Sequence, residues 1–239
     1  MEIHDYDTLP STSATAAEAA RAGAGHLYTV VAREQTAGRG RLNRGFFSPR
    51  GGLYFTTVLR TGLTPAQYGA VTPFAALAVA RAIQRVCGIC VQIKWVNDLL
   101  LEGKKLCGIL AESGTDVNGV PYLLLGIGIN IGERSFPKEL REIATALPHA
   151  DKERLLTEIL LELDDVQRAV EQGSWLAEYK ESSCVLSREV YLYEGDAQRR
   201  AFVLDILPNG MLFIRNEQGI EEELCTGEIS LRLTQNGKN

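Results

Sequence analysis

Four segments of the chain combine residue types that bind or move charge. The first, Gly38-Arg39-Gly40-Arg41-Leu42-Asn43-Arg44-Gly45, alternates glycine with arginine at its start. Glycine lets a backbone approach a ligand and present its N–H groups. Arginine adds a permanent charge on a planar fork that fits phosphate or carboxylate. Such a loop suits a phosphate or an acyl phosphate. It is not a P-loop, because GxxxxGK[ST] is absent and no helix follows it. The second segment, Lys94-Trp95-Val96-Asn97-Asp98, sets a cation, an amide and a carboxylate at a strand end. That set can hold an anion together with a metal or an amine, although Asn-Asp also serves as a plain turn former.

The third segment runs from Gly103-Lys104-Lys105 to Ala111-Glu112. Lys105 enters a buried-looking strand, where an inward lysine is costly unless it meets an anion. A surface lysine at a hairpin turn is the alternative. Gly108 on that strand suggests close approach to the backbone. In the fourth segment, Gly126-Ile127-Gly128-Ile129-Asn130, two glycines at alternate strand positions clear one face. A flat ligand or a close-packed helix could use the space. Ile131 stands where GxGxxG requires its third glycine, so the dinucleotide fingerprint is missing.

The elements that must position these segments follow from periodicity and punctuation. Ser11 to Ala22 reads as a helix, with Thr15 and Glu18 as a capping box. His26–Ala32 and Leu53–Leu59 read as strands that flank a loop from Gly38 to Gly52. Ala66 to Val86 is largely apolar and reads as the most buried helix, which Pro73 must kink or restart. Short strands at Val91–Trp95, Leu99–Leu101, Leu106–Ala111 and Tyr122–Ile131 follow. Glu102-Gly103-Lys104 and Asn118-Gly119 supply turns between them. Lys138–Ala146 and Lys152–Gln172 read as helices. After about Ser182 the pattern changes to strands at Glu189–Tyr193, Arg200–Ile206, Met211–Arg215 and Ile229–Leu233. The fold class is therefore α+β: a mixed, mostly antiparallel sheet with helices over 1–182, then a small β-barrel or sandwich over 183–239.

The 239 residues are 45% apolar and 23% charged, with a formal net charge of −5. That balance opposes nucleic acid as the main partner. Between Arg33 and Arg60 lie six arginines, one glutamate and no lysine or aspartate, a local basic patch that suits a small anionic ligand. The five cysteines are irregularly spaced. No leader and no run of 18 or more apolar residues is present, which points to a cytoplasmic protein with reduced thiols and no membrane partner. Cys87-Gly-Ile-Cys90 has CxxC spacing but follows a helix end, where a low thiolate pKa is not favoured, and it has no second pair for zinc. His4, His26 and His149 are scattered.

Taken together and in order, these strings resemble the biotin–protein ligases. Gln35-Thr-Ala-Gly-Arg-Gly-Arg41, Phe47-Ser-Pro49 and Gly52-Leu-Tyr54 are similar to that family's biotin-binding loop. KWVND (94–98), GKKLCGIL (103–110) and GIGINI (126–131) are similar to its other signatures, and Ser11-Thr12 to its N-terminal Ser-Thr-Asn. The tail, with Gly227-Glu-Ile-Ser-Leu-Arg232, resembles the SH3-like domain that closes these enzymes; the larger part resembles their class II synthetase-like sheet. Departures stand at Ser13, Asn43, Phe46 and Val96, where the family usually has Asn, Gly, Trp and Pro. Lipoate ligases and octanoyltransferases usually show an Arg-then-Gly-Gly-Gly stretch ending in His-Asp, which nothing here matches.

The resemblance implies roles. Ser11, Thr12, Ser13 and Gln35 would line a biotin pocket, with Gly108, Gly126 and Gly128 as its floor. Arg39 and Arg41, with the Gly38 and Gly40 backbone, would hold biotin and its adenylate. Lys105 would sit at the carboxylate and α-phosphate. Lys94, Asn97, Asp98 and Asn130 would hold the nucleotide or its metal, and the loop through Phe136 would order over the adenylate. Lys105, Arg41 and Asp98 would be catalytic, Asp98 as a helper in deprotonating the incoming lysine or in a structural or metal-linked role. The implied reaction consumes ATP with Mg²⁺, forms biotinyl-5′-adenylate, and passes biotin to a lysine of a biotin carboxyl carrier protein. In relatives an exposed sheet edge pairs with the carrier or with a second copy, which allows a homodimer. Only about ten residues precede Ser11-Thr12, so no helix-turn-helix and no DNA partner are expected.

Overall fold

A computed structural model describes residues 1–41, 44–132, 135–194, 197–225 and 230–233. Asn43 and the Gly227–Ile229 part of the tail string lie outside the described residues. The chain opens with a strand that periodicity did not reveal, β1 (Glu2–Leu9), exposed along nearly its whole length. Then come α1 (Thr12–Arg21), β2 (Tyr28–Gln35), β3 (Leu53–Leu59), a 3-10 turn at Pro65–Gln67 and α2 (Tyr68–Cys87). Strands β4 (Gln92–Lys94), β5 (Asp98–Leu101), β6 (Lys104–Thr115) and β7 (Pro121–Ile129) complete a seven-stranded sheet ordered β1-β2-β3-β7-β6-β5-β4. Only β1 and β2 pair in parallel, with α1 as their crossover; the other neighbours are antiparallel.

The sheet is buried on both faces where it matters. Leu123, Leu125, Ile127 and Ile129 of β7 join α2 in the main core. On the opposite face, Tyr122 and Leu124 pack with Ala16 and Ala20 of α1 in a smaller one. This alternation follows the two-residue period of a strand. It places Gly126 and Gly128 on the α1 face. β3, Leu-Tyr-Phe-Thr-Thr-Val-Leu, is buried at all seven positions because it runs between the layers.

Helix α2 accepts Pro73 without restarting. Proline removes the N–H that would bond the Gly69 carbonyl. Pro65–Cys87 is long and apolar enough to cross a membrane, but 67% of its most apolar window is buried inside the protein.

Several expected elements differ. Helix α1 begins at Thr12 with Ser11 as its N-cap residue, so Thr15 lies inside it and donates to Ser11 O instead of forming a capping box. Residues 138–146 form turns rather than a helix. Lys105 N–H donates to Ile143 O (2.8 Å) and Thr145 N–H to Lys105 O (2.9 Å), so the turns end at Ala144 in a bridge to β6 instead of continuing as a helix. The expected long helix after Asp151 is two, α3 (Lys152–Asp164) and α4 (Val166–Gln172), and α5 (Leu176–Ser182) follows. A second sheet holds β8 (Glu189–Glu194), β9 (Ala197–Ile206), β10 (Leu212–Asn216), β11 (Glu221–Leu224) and β12 (Ser230–Leu233). It is antiparallel in the order β11-β10-β9-β8-β12.

Arg60 closes the C-terminal end of α1. Its guanidinium donates to the carbonyls of Ala20 and Ala24 and meets Asp116 Oδ2 at 2.9 Å. Asp116 Oδ1 accepts the Asn118 and Val120 N–H groups, both at 2.9 Å. The Val120 bond foremost, then those from Asn118 and Arg60, hold its carboxyl below the usual value against the opposing effect of desolvation. A carboxyl depressed in the folded state adds stability that is complete above its unfolded pKa and is lost as pH falls through the folded one. Asp116→Asn is therefore expected to lower Tm at pH 7 and to flatten its fall below about pH 4. An unchanged acid slope would remove Asp116 from that role.

Candidate active site

The Gly/Arg loop is a small hairpin laid over the sheet. Phe46 N–H donates to Gly38 O (2.8 Å) and Gly40 N–H to Arg44 O (2.7 Å). A side chain at Gly38 would collide with Phe46 O and Ser48 Oγ, at 2.5 and 2.7 Å from a Cβ there, so glycine is required by close approach. At the base of the hairpin, Gln35 Oε1 accepts from Thr12 N (2.9 Å) and Thr12 Oγ1 (3.1 Å), while its Nε2 donates to Ser48 Oγ (2.9 Å). Thr56 on β3 touches both helix-start hydroxyls, Thr12 Oγ1 at 2.9 Å and Ser13 Oγ at 3.1 Å. Ser11 Oγ, in a residue only 4% exposed, has no hydrogen-bond partner among the described residues. A buried hydroxyl left unpaired is costly and is a natural contact for a polar ligand.

The structure therefore brings Ser11, Thr12, Ser13 and Gln35 together. It adds Thr56, which sequence reading missed, and gives a partner role to Ser48, which the sequence placed in the string Phe47-Ser-Pro49. Two threonines in an otherwise apolar, fully buried strand were the available signal.

The glycine strip is not bare. The Phe46 ring lies directly over Gly128 and also reaches Gly108; Ser13 Oγ and Thr56 Oγ1 cover Gly126. The expectation of a cleared face holds for the backbone, but an aromatic ring of the loop now lies on it.

Lys105 reaches the same face through a β-bulge. The β5–β6 register shifts between Leu99 and Leu100, which pair with Cys107 and Lys105. Strict alternation from Gly108 would turn Lys105 into the core. The extra residue, Leu106, is buried there beside Cys107 instead, and Lys105 emerges on the glycine side. Bulges re-aim side chains in this way. The Lys105 stem crosses Gly108, with Cε and Nζ at 3.1 and 3.2 Å from a Cβ placed there. Its ammonium ends 2.7 Å from Asp98 Oδ1, out of line for a hydrogen bond to that oxygen, and 5.9 Å from the centre of the Phe46 ring. Lys105 is 37% and Asp98 20% exposed.

Arg41 Nη1 donates to Asn97 Oδ1 (3.1 Å), and Asn97 Nδ2 donates to Ile109 O (3.0 Å). Burial lowers the Arg41 pKa, with Asp98 opposing and Arg44 reinforcing that shift; a guanidinium nevertheless stays charged. Arg39 Nη2 meets Glu112 Oε1 at 2.8 Å. Lys94 stands opposite Asp98 in the backbone register of β4 and β5. Asn130 is buried, and its Nδ2 donates to Thr145 O (3.0 Å), tying the turn segment to the sheet end. Phe136 beyond it faces Phe47, with ring centroids 6.5 Å apart. All five cysteines are free thiols, and burial pushes the Cys87, Cys107 and Cys184 pKa values up.

The result is a cationic cluster with its counter-charge, Asp98, already beside it. Lys105 and Arg41 gather at one end of the strip, and hydroxyls and an amide at the other.

The sequence and the fold resemble those of known proteins. The model of the Biotin/lipoate A/B protein ligase family matches residues 8–130. The bifunctional ligase/repressor BirA of Bacillus spizizenii is 41% identical over 152 residues, 62% of this chain and 47% of that protein. The biotin--[acetyl-CoA-carboxylase] ligase of Paracoccus denitrificans is 43% identical over 130 residues, 52% of this chain and 53% of that one. The chain spans about half the length of these curated relatives. Among solved structures, the biotin protein ligase from Aquifex aeolicus in complex with biotin and ATP superposes with a TM-score of 0.83 at 26% identity, covering 98% of this chain and 99% of that one.

Proposed function

The chain belongs to the biotin/lipoate A/B protein ligase family, and from that premise we propose that it activates biotin with ATP and transfers it to a lysine of a biotin carboxyl carrier protein. The observation that carries this reading is the convergence of Lys105 and Arg41 at one end of a glycine strip whose other end holds the unpaired Ser11 hydroxyl.

In the first step the biotin carboxylate attacks the α-phosphorus of ATP, forming a C–O–P link, and pyrophosphate leaves with the electron pair of the broken P–O bond. Two anions must meet. Lys105 and Arg41 stabilise the charge that accumulates between them. Lys105 is held at rest by Asp98, so the incoming anion takes over a preorganised ammonium rather than ordering a mobile one. In the second step a carrier lysine amine attacks the acyl carbon. The C–N bond forms, AMP leaves with the C–O electron pair, and the former ammonium gives up two protons in all. The hairpin with Phe46 and the segment with Phe136 would keep water from the adenylate.

Among the described residues no group of three or more His, Cys, Asp or Glu is placed to hold a metal ion. A Mg²⁺ carried by the nucleotide needs no such group, since phosphates and water fill most of its shell. The Asp98 carboxylate with the Asn97 amide fits that lighter demand, and the ion would add screening of phosphate charge.

The two sheets support a division into a catalytic part, 1–182, and a small part, 183–239, which we read as SH3-like. The five free thiols support a reducing, cytoplasmic setting. We propose no DNA partner, because the net charge is −5 and Arg39, Arg50 and Arg60 of the basic stretch are each paired to carboxylates.

The expected result is MgATP-dependent transfer of radiolabelled biotin to a purified biotin carboxyl carrier domain. Folded protein that transfers lipoate in that assay, and no biotin, would replace this reading with its sister activity.

A further inference from the structure

We propose that Glu112 receives the ammonium of the acceptor lysine, in a cavity bounded by β6, the start of α2 and the Asn209–Met211 turn of the C-terminal part; this rests on the ligase reading above. The cavity measures about 380 Å³, and its lining includes Arg41, Val96, Ile109, Glu112, Asn209 and Met211. At Arg41 and Val96 it adjoins the cationic cluster. From there it follows β6 past the last β5 pairing, Asp98 with Gly108, where Ala111, Glu112 and Ser113 have no β5 neighbour. It therefore offers a route to Arg41 that does not cross the hairpin lying over the glycine strip.

Its chemistry matches a lysine side chain. Val96, Ile109 and Met211 give an apolar wall for the four-carbon stem. Glu112 is the one carboxylate among the described residues that line it. Asp98, the other carboxylate at the site, is not among them and is already held by Lys105 at 2.7 Å.

Glu112 is engaged at rest by Arg39, but loosely: the side chains are 49% and 32% exposed. Ion pairs of that exposure exchange partners at little cost. When Arg39 turns to the adenylate phosphate, Glu112 keeps its place in the cavity lining with an unmatched charge. The carboxylate then gathers the cationic lysine that predominates at neutral pH, and stands where its proton must leave. Completion of the first half-reaction thus prepares the cavity for the second.

The test is Glu112→Gln, which keeps size and removes charge. Three rates are compared with wild type: ATP–pyrophosphate exchange with biotin, transfer to the carrier domain, and transfer to hydroxylamine, a neutral acceptor. The expected result is a carrier KM raised about tenfold, the scale of one charge-assisted hydrogen bond, with exchange and hydroxylamine transfer unchanged. An unchanged carrier KM overturns the proposal. So does a fall in exchange that accounts for the loss of transfer, because it would mean Glu112 acts only through Arg39. Wild type that forms no adenylate would instead bring down the ligase reading, and this inference with it.

Discussion

Lys105→Ala is expected to cut biotinyl-adenylate formation by about 10²–10³-fold while leaving the fold intact, the range seen when one preorganised charge stabiliser is removed. The side chain is 37% exposed and crosses a glycine, so alanine opens no cavity in the core. The backbone bonds from Lys105 to Ile143 and Thr145 do not involve the side chain and should survive. What disappears is the ammonium. Asp98, previously matched, would then present bare negative charge beside the place where a carboxylate and a triphosphate must approach. The loss therefore combines a missing attraction with a new repulsion. Pyrophosphate exchange at saturating biotin and ATP reads the step directly. A loss below tenfold, with Tm unchanged, would take Lys105 out of the activation step.

How far the site could be read from sequence depended on whether local chemistry or long-range pairing decided each residue. Lys105 was recognisable by type, as a lysine entering an apolar strand. Its orientation was not, because the bulge at Leu106 arises in pairing with β5. Residues 138–146 have a helical pattern, yet they turn only as far as Ala144, where two backbone bonds to Lys105 draw the chain onto β6. No local periodicity can report a partner more than thirty residues away. β1 was missed because its polar, exposed sequence lacks the one-sided alternation of a half-buried strand. β11, Glu-Glu-Glu-Leu, looks like a solvated acidic run until Arg215 and Arg199 are seen to pair with Glu221 and Glu222. By contrast, β3 and the glycines of β7 were read at their true positions, since burial on both faces leaves a dense local signature. Thr12, Gln35 and Gly38 were also legible by motif, whereas Thr56, which links Thr12 to Ser13, carried no motif at all.

The contact between α2 and the Asn209-Gly210 turn of the second sheet rests on glycines, and it is there that a single methyl group should cost most. Gly210→Ala is expected to destabilise the protein by about 2–4 kcal/mol, or roughly 5–10 °C in Tm. Gly210 has φ +83°, and an added Cβ would overlap the Gly69 carbonyl and come within 3.1 Å of Ala70 Cα. Both are backbone of α2, which cannot swing aside as a side-chain tip can. The crowded carbonyl is the one that Pro73 leaves without its helical donor. Gly210 O also accepts from Trp95 Nε1 at 2.9 Å, a buried bond that any retreat of the turn would break. Asn209 and Met211 on either side line the cavity at Glu112, so retreat would also reshape the proposed lysine route. Gly219→Ala separates the causes. Its φ is +80°, yet nothing lies within 4 Å of an added Cβ, so it should cost only the backbone term of about 1–2 kcal/mol. Thermal unfolding of the two variants side by side measures the difference. If they lose the same Tm, the close approach of Gly210 to α2 contributes nothing and the turn is held only by its own conformation. If Gly210→Ala loses more, and its carrier KM rises while Gly219→Ala keeps the wild-type value, the seating of this turn on α2 shapes the second half-reaction as well as the fold.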